Sequence, residues 1–412
     1  MWKSILDRGG RTVVFTAVIC CLSLFLWTVP TVEAKKERQE ILIGSNLPLT
    51  GILAGAGIEQ RWAYQTAVDD VNKAGGIYVK EYGKKLPVRL IVADDASDPG
   101  KAASAVERLI KQKKVDLLLG GFAAPFGVIP GCITAEKYRR YYHTSICLIP
   151  PWLEHHFKWS TLFFFKLDQA CSVPYQIWDS LPENERPKKP ALIMEDTFDG
   201  RAFAGLFRSL AKKYGYTFAM DEPWAVGAKD YSAQIIKAKS QGVDAILIFG
   251  ADTDVITFVR QMKENNLSVK YFHGWKGAWA GEFWKALGKD AQYILCDGFW
   301  SMDFPFPGAK ELGERYYNQF KKHSVSVGAL YGLCQILWQA IEKAGSVDSA
   351  KVRQAVLENE FETVMGKVNY GKNGVAVFES TASQWWNGKQ MTVYPFKWTD
   401  YKIKLAPPWN ER

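Results

Sequence analysis

One arrangement of residues occurs twice in this chain, and it sets the class of fold. Residues 107–125, Glu-Arg-Leu-Ile-Lys-Gln-Lys-Lys-Val-Asp-Leu-Leu-Leu-Gly-Gly-Phe-Ala-Ala-Pro, read as the end of an amphipathic helix, a short turn, a buried strand from Val115 to Leu119 and a Gly-Gly turn. Residues 235–252, Ile-Ile-Lys-Ala-Lys-Ser-Gln-Gly-Val-Asp-Ala-Ile-Leu-Ile-Phe-Gly-Ala-Asp, repeat the order, with Val243 standing where Val115 stood. A helix feeding a short apolar strand that ends in a Gly turn is a unit of a parallel α/β sheet. Ligands of open α/β sheets bind outside the carboxyl ends of the strands. Two such units predict two lobes whose strand ends face a shared cleft.

Length and composition allow this. At 412 residues the chain can hold two domains, each with its own core. Apolar residues make up 48% and charged residues 23%, so disorder is excluded as the default. The 16 Trp, 18 Tyr and 23 Phe are more than two cores require and leave aromatics to line a site.

The first 34 residues stand apart. Lys3, Arg8 and Arg11 form a basic start, Thr12 to Val29 is mostly apolar, and Val32-Glu-Ala34 offers small residues at a cleavage site. This reads as a secretory signal peptide removed after Ala34, which places the mature protein in the periplasm or outside the cytoplasm. An uncleaved membrane anchor is the alternative. A lipid-modified Cys20 or Cys21 is disfavoured, because Ile19 precedes Cys20 where a small residue is needed. Cleavage leaves 49 basic and 41 acidic residues, a charge of +8 spread along the chain. Small clusters such as Lys111-Gln-Lys-Lys114 read as solvated faces, and no nucleic-acid partner is expected. Five cysteines remain: Cys132, Cys147, Cys171, Cys296 and Cys334. Their odd number leaves one unpaired in an oxidising compartment, and a Cys132–Cys147 bridge is one pairing the spacing allows.

Taken in order, the chain alternates strands and helices. Strand Ile41 to Leu47 leads through the Gly-rich loop 48–57 into a helix over 59–73. Strand 87–93 leads through Asp94-Asp-Ala-Ser-Asp-Pro99 into a helix to about Lys113. Beyond the first repeat come a strand over 141–148 and another over 162–167, with a crossing into the second lobe near Asp168. Strands over 191–194, 217–219, 244–249 and 268–272 make the second lobe, and residues 293–299 are expected to return to the first. The Asn387-Gly388 pair predicts a hairpin turn, and residues 401–412 a tail. The lobes are therefore expected at 35–168 with 288–360, and at 169–287 with 361–400.

Motifs for chemistry are sparse. The loop 48–57 has no Gly-Lys-Ser/Thr and no GxGxxG register, so no phosphate or dinucleotide cofactor is implied. The three aspartates of 94–98 read as a capped turn rather than a metal loop, since an EF-hand needs a Gly and a closing Glu that are missing. Adjacent His155 and His156 cannot share one metal. No GxSxG, metal or reactive-cysteine motif appears, and an enzyme is not expected.

The motifs together resemble one family. Leu47-Pro-Leu-Thr-Gly51, Asp69-Asp-Val-Asn-Lys-Ala-Gly-Gly-Ile77, Val92-Ala-Asp-Asp-Ala-Ser-Asp-Pro99, Leu118-Leu-Gly-Gly121, Glu195-Asp-Thr-Phe-Asp-Gly200, the stretch from Tyr331 to Gly345, and Gly366 through Gln384-Trp-Trp-Asn-Gly-Lys389 carry it. Their order over residues 40–398 is similar to the periplasmic solute-binding proteins of branched-chain amino-acid ABC importers, the leucine/isoleucine/valine-binding type. The resemblance implies two Rossmann-like α/β lobes with parallel-rich sheets, three interlobe crossings, and hinge closure on a small-molecule ligand in the cleft. It implies a membrane ABC permease as partner and no cofactor; a monomer is expected.

The same resemblance implies an amino-acid pocket that this chain does not reproduce. The family's serine after the Gly turn falls at Ala124, its threonine at or near Cys147, its closing tyrosine at Phe198 and its ammonium-binding acid at or near Trp275. Phe122, Ala123, Ala124, Cys147, Phe198 and Trp275 then predict an apolar, aromatic pocket, with Thr144, Ser145, His143, Asp252, Asp254 and Lys276 as nearby polar groups. The expected ligand has an apolar or aromatic body, with a carboxylate held by Ser145, Lys276 and backbone N–H groups. Two alternatives stay open: an amino-acid binder that uses Asp252 or Asp254 for the ammonium, and a ligand sensor for a membrane receptor.

Overall fold

A computed structural model describes residues 38–412. The signal peptide expected over 1–34 lies outside them. Among the described residues no helix is long and apolar enough to cross a membrane.

The first lobe opens with β1 (Ile41–Leu47), the hairpin β2 (Ile77–Val79) and β3 (Lys84–Leu86), then β4 (Val88–Asp94), β5 (Leu117–Leu119), β6 (Tyr142–Thr144) and β7 (Ser160–Phe163). The second holds β8 (Pro190–Glu195), β9 (Met220–Trp224), β10 (Ala245–Gly250), β11 (Tyr271–Lys276) and β12 (Leu295–Gly298). The hairpin β13 (Glu360–Thr363) and β14 (Gly366–Asn369) precedes β15 (Val375–Ala376), β16 (Thr381–Trp386) and β17 (Lys389–Tyr394). One sheet runs β15-β7-β6-β5-β1-β4, every pair parallel. The other runs β17-β16-β12-β11-β10-β8-β9, parallel except where β16 and β17 add antiparallel to β12. Strands such as β8 and β10 are buried at every position, as a sheet covered on both faces requires.

The repeated Val-Asp unit has one job in both lobes. Asp116 accepts a hydrogen bond from the Leu42 N–H at 2.8 Å, and Asp244 accepts from the Lys188 and Lys189 N–H groups at 2.8 Å each. Each aspartate thus satisfies backbone donors where its lobe's first strand begins, a position the sheet ladder leaves unpaired.

The chain passes between the sheets after Phe163, after Gly298 and after Ala376. Two of these places correct the expected ranges. Residues 293–299 do not return to the first lobe: β12 pairs with β11 (His273↔Leu295) and β16 (Gly298↔Thr381), so the return follows Gly298 rather than residue 287. Residues 361–376 do not belong to the second lobe: β13–β14 packs on the helix Val327–Ala344, and β15 is an edge strand of the first sheet. A two-residue strand carries no periodicity to read.

Other differences are local. The first helix begins at Ala54, five residues earlier than expected, and the strand expected over 217–219 lies later, at β9 (Met220–Trp224). Asn387 and Gly388 both take positive φ, 51° and 79°, as the hairpin turn requires. The segment 401–412 is strapped to the second lobe rather than loose. The Ala406 N–H donates to the Lys270 carbonyl at 2.9 Å, the Trp409 indole to the Leu267 carbonyl at 2.7 Å, and Arg412 stacks on Trp409.

Candidate functional site

All three crossings leave from the carboxyl edge of a strand, β7, β12 or β15, so the carboxyl edges of the two sheets lie on either side of the hinge. On the first lobe most polar groups there are already engaged. Asp94 accepts from the Leu49, Thr50 and Ala96 N–H groups and from the Thr50 hydroxyl at 2.7 Å. Burial would raise its pKa, but these bonds bring it below the usual range. Asp95 is buried against Asn46 at 3.0 Å, with its pKa raised by burial, and Asp98 caps the next helix through the Lys101 N–H at 2.7 Å. The aspartate-rich turn is a cap, as expected.

The Gly-Gly turn is tight because its neighbours are close. A Cβ on Gly120 would stand 2.0 Å from the Thr144 hydroxyl, and one on Gly121 2.5 Å from the Asn46 amide. Gln60 and Tyr64 both donate to the Gly120 carbonyl, at 2.9 and 3.0 Å. Beyond the turn, Phe122, Ala123 and Ala124 are partly buried, with Ala123 at φ 62° opening a wide helical turn.

His143, Ser145 and Cys147 are less available than their positions suggested. The His143 ring is buried between Tyr141, Thr161 and Tyr370, with Nδ1 at 3.0 and 2.8 Å from the first two hydroxyls. Burial pushes its pKa down to about 3, so it is a neutral core imidazole. The Ser145 hydroxyl donates to the Phe163 carbonyl at 2.6 Å, which removes it from the expected carboxylate site. Cys147 is buried, its thiol held well above the usual range chiefly by burial, with Cys132 and Asp199 nearby adding to the rise. All five cysteines of the described residues are free and buried, so the Cys132–Cys147 bridge is absent.

The second lobe supplies the charge. Strand alternation sends Tyr271, His273 and Trp275 to one face of β11 and Lys276 to the other. Trp275 is fully buried, stacked on His273 at 3.8 Å and edge-on to Phe207 at 4.8 Å. It is core, and its expected role in the pocket is corrected: a one-residue slip in register exchanges the faces. Lys276, the next residue, is partly exposed on a left-handed backbone, φ 63°, a conformation that persists only where its surroundings enforce it. Its ammonium pairs with Glu195 at 3.0 Å and lies 5.4 Å from the centre of the Phe249 ring.

Two more carboxylates feel that ammonium. Burial raises the Asp199 pKa and Lys276 offsets it; burial raises Asp252 to about 6, with its own backbone N–H and Lys276 acting against the rise. Phe198 is exposed at the start of the helix Phe198–Tyr214, which Thr197 caps. Asp254 is buried and accepts from the Gly227 N–H at 2.9 Å, so it is committed to a loop and not to a ligand ammonium.

Sequence reasoning did not select Glu195, Asp199, Asp297 or Trp279. Glu195 carried a legible signal, a carboxylate ending an otherwise apolar strand. Asp297, at the end of β12, accepts from the Trp279 indole N–H. Burial raises its pKa to about 8, against bonds from Trp279 and from backbone N–H groups that lower it. The unfolded carboxyl loses its proton near 3.8 and the folded one near 8, so between these values the folded state holds the extra proton. Stability therefore falls as pH rises through that window. Asp297→Asn is expected to flatten the slope, with a difference approaching about 5 kcal/mol by pH 8 at about 1.4 kcal/mol per pKa unit. Urea melts of both proteins from pH 4 to 8 measure it.

Comparison with known proteins agrees with this fold. The model of the family described as periplasmic binding protein matches residues 40–389. The Leu/Ile/Val-binding protein BraC3 of Rhizobium johnstonii is 26% identical over 362 residues, 87% of this chain and 95% of the relative. An amino acid binding protein of Pseudomonas aeruginosa is 26% identical over 81% of this chain and 87% of its own. The branched-chain amino acid transporter substrate binding protein LivJ of Streptococcus pneumoniae, solved with isoleucine, shares the fold with a TM-score of 0.75 at 21% identity, covering 87% of this chain and all of its own. A putative branched-chain amino acid ABC transporter protein of Silicibacter pomeroyi superposes with a TM-score of 0.77 at 17% identity over 90% of this chain and 100% of its own. The chain therefore belongs to the periplasmic binding protein family, among the relatives of the Leu/Ile/Val-binding type.

Proposed function

We propose that this protein captures one small molecule between its lobes outside the cytoplasm and delivers it to an ABC importer of the branched-chain amino-acid type. The ligand has an apolar or aromatic body and is not a standard branched-chain amino acid. The observation that carries this is the division of labour across the cleft. The first lobe offers Phe122, Ala123 and Ala124, while its aspartates and Ser145 are bonded to their own lobe. The second offers exposed Phe198 beside the group Lys276, Asp199 and Asp252. The apolar body then rests on the first lobe and the polar end meets the second. Lys276 is the cation for a carboxylate; Ser145 is not its partner.

Binding rather than catalysis suits the remaining groups. The His143 and His273 imidazoles are buried in the two cores, and burial holds the Cys132 and Cys296 thiols up at about 12. One observation favours a second reading, an amino acid as ligand: Asp252 stands partly exposed at the end of β10, able to take an ammonium. In that reading the ligand matches those named for the relatives.

Thermal shift of residues 35–412 separates the two. The panel holds branched-chain and aromatic amino acids, aromatic carboxylates, short fatty acids, amides and polyamines. A ligand at one hundred times its Kd stabilises the folded state by about 2.7 kcal/mol and raises the midpoint accordingly. A shift with aromatic carboxylates or fatty acids, and none with leucine or isoleucine, is the expected result. A shift with leucine would replace it by the second reading.

A further inference from the structure

The hinge is lined by phenylalanines, and each crossing contributes. Phe164 and Phe165 follow β7, Phe299 follows β12 and Phe378 follows β15. Phe299 stands at the centre, with ring centroids 5.2 Å from Phe164, 5.4 Å from Phe165 and 6.3 Å from Phe378. Phe165 and Phe299 stack with planes 18° apart, whereas Phe164 and Phe378 meet edge-on. Rings in contact by dispersion slide at small cost, unlike hydrogen bonds, which have fixed geometry. A cluster of this kind lets three chain segments turn together while remaining packed.

One ring of the ligand-facing loop joins this cluster. Trp279 lies edge-on to Phe299 at 5.0 Å, and its indole donates to Asp297, two residues before Phe299. Its carbonyl accepts from Gln390 of β17 at 2.9 Å, and its N–H donates to the Lys276 carbonyl at 3.3 Å. The loop between them is stiff. A Cβ on Gly277 would stand 2.3 Å from Val255 and 2.8 Å from the Gly250 carbonyl, so the backbone there is pressed against the end of β10. A displacement at Lys276 is therefore transmitted to Trp279 rather than absorbed.

We propose that Trp279 is a positioning residue that couples the Lys276 loop to the hinge and sets how far the lobes stand apart before a ligand arrives. It fixes the rotation of the Phe299 crossing through one directional bond and one ring contact. The inference rests on the hinge closure of the proposed function, and its test uses no ligand, so an error about the ligand leaves it untouched.

The test is a lobe-to-lobe distance distribution by double electron–electron resonance, with spin labels at Lys101→Cys in the first lobe and Lys212→Cys in the second. Both positions are exposed, and the five described native thiols are buried and will not take label. Trp279→Phe keeps a ring and loses the indole donor. It is expected to shift and broaden the ligand-free distribution, as is Phe299→Leu. Asp297→Asn retains an acceptor oxygen and is expected to match the parent. Trp338→Phe, buried in the helix Val327–Ala344 of the first lobe, is the control for a general loss of packing. A Trp279→Phe distribution that superimposes on the parent overturns the proposal, and so does an equal shift in Trp338→Phe. Should Phe299→Leu not fold, Trp279→Phe alone decides.

Discussion

Lys276→Met is expected to destabilise the protein by about 3 kcal/mol, at the low end of what breaking a buried ion pair costs. Glu195 is 2% exposed, and Lys276 is its cation at 3.0 Å. Without it, one carboxylate oxygen keeps only the Thr197 hydroxyl at 3.1 Å, and the other has no partner within the described residues. The methionine stem still covers Phe249, so lost packing contributes little. Because the lysine is partly exposed, salt screens part of the attraction and the larger costs of this class do not apply. Adding Glu195→Gln is expected to restore most of the loss, since a neutral amide needs no counter-charge. A double-mutant cycle by urea denaturation measures the coupling. A Lys276→Met variant as stable as its parent would show that water, not the lysine, satisfies Glu195.

Trp275→Ala is expected to cost about 4 kcal/mol, within the range for removing a large buried ring. The indole has no exposure, stacks on His273 and meets Phe207 edge-on. Calorimetry should show a large fall in Tm, with Trp275→Phe keeping most of it. The same pair separates core from pocket. Trp275→Phe should leave the affinity for the ligand found by thermal shift unchanged, while Phe122→Ala should weaken it. Reduced affinity in Trp275→Phe would return that ring to the pocket.

The lobes were legible in the sequence because the repeat carries its own explanation. An amphipathic helix, an apolar strand and a Gly turn leave few other folds, and even the shared aspartate has one physical task in both copies. The crossings were less legible, since β15 is too short for periodicity and β12 reads alike in either sheet. The site was least legible at single-residue resolution. Alternation along β11 buries Trp275 and leaves Lys276 partly exposed, and no count from a distant glycine fixes a register to one residue. The pairing of Glu195 with Lys276 joins residues on different strands, so neither local pattern announces it.

Neither lobe is a contiguous piece of chain, and this governs the order in which the protein can form. The first sheet waits for β15 and the second for β16 and β17, all made after residue 374. Pairings of such long sequence separation are slow, because the intervening chain must be ordered before they form. A chain still emerging from a ribosome or crossing a membrane therefore lacks an edge strand in both sheets at once. Both sheets stay incomplete until the last 38 residues arrive. Dissection at a crossing should accordingly yield fragments with exposed sheet edges rather than independent lobes.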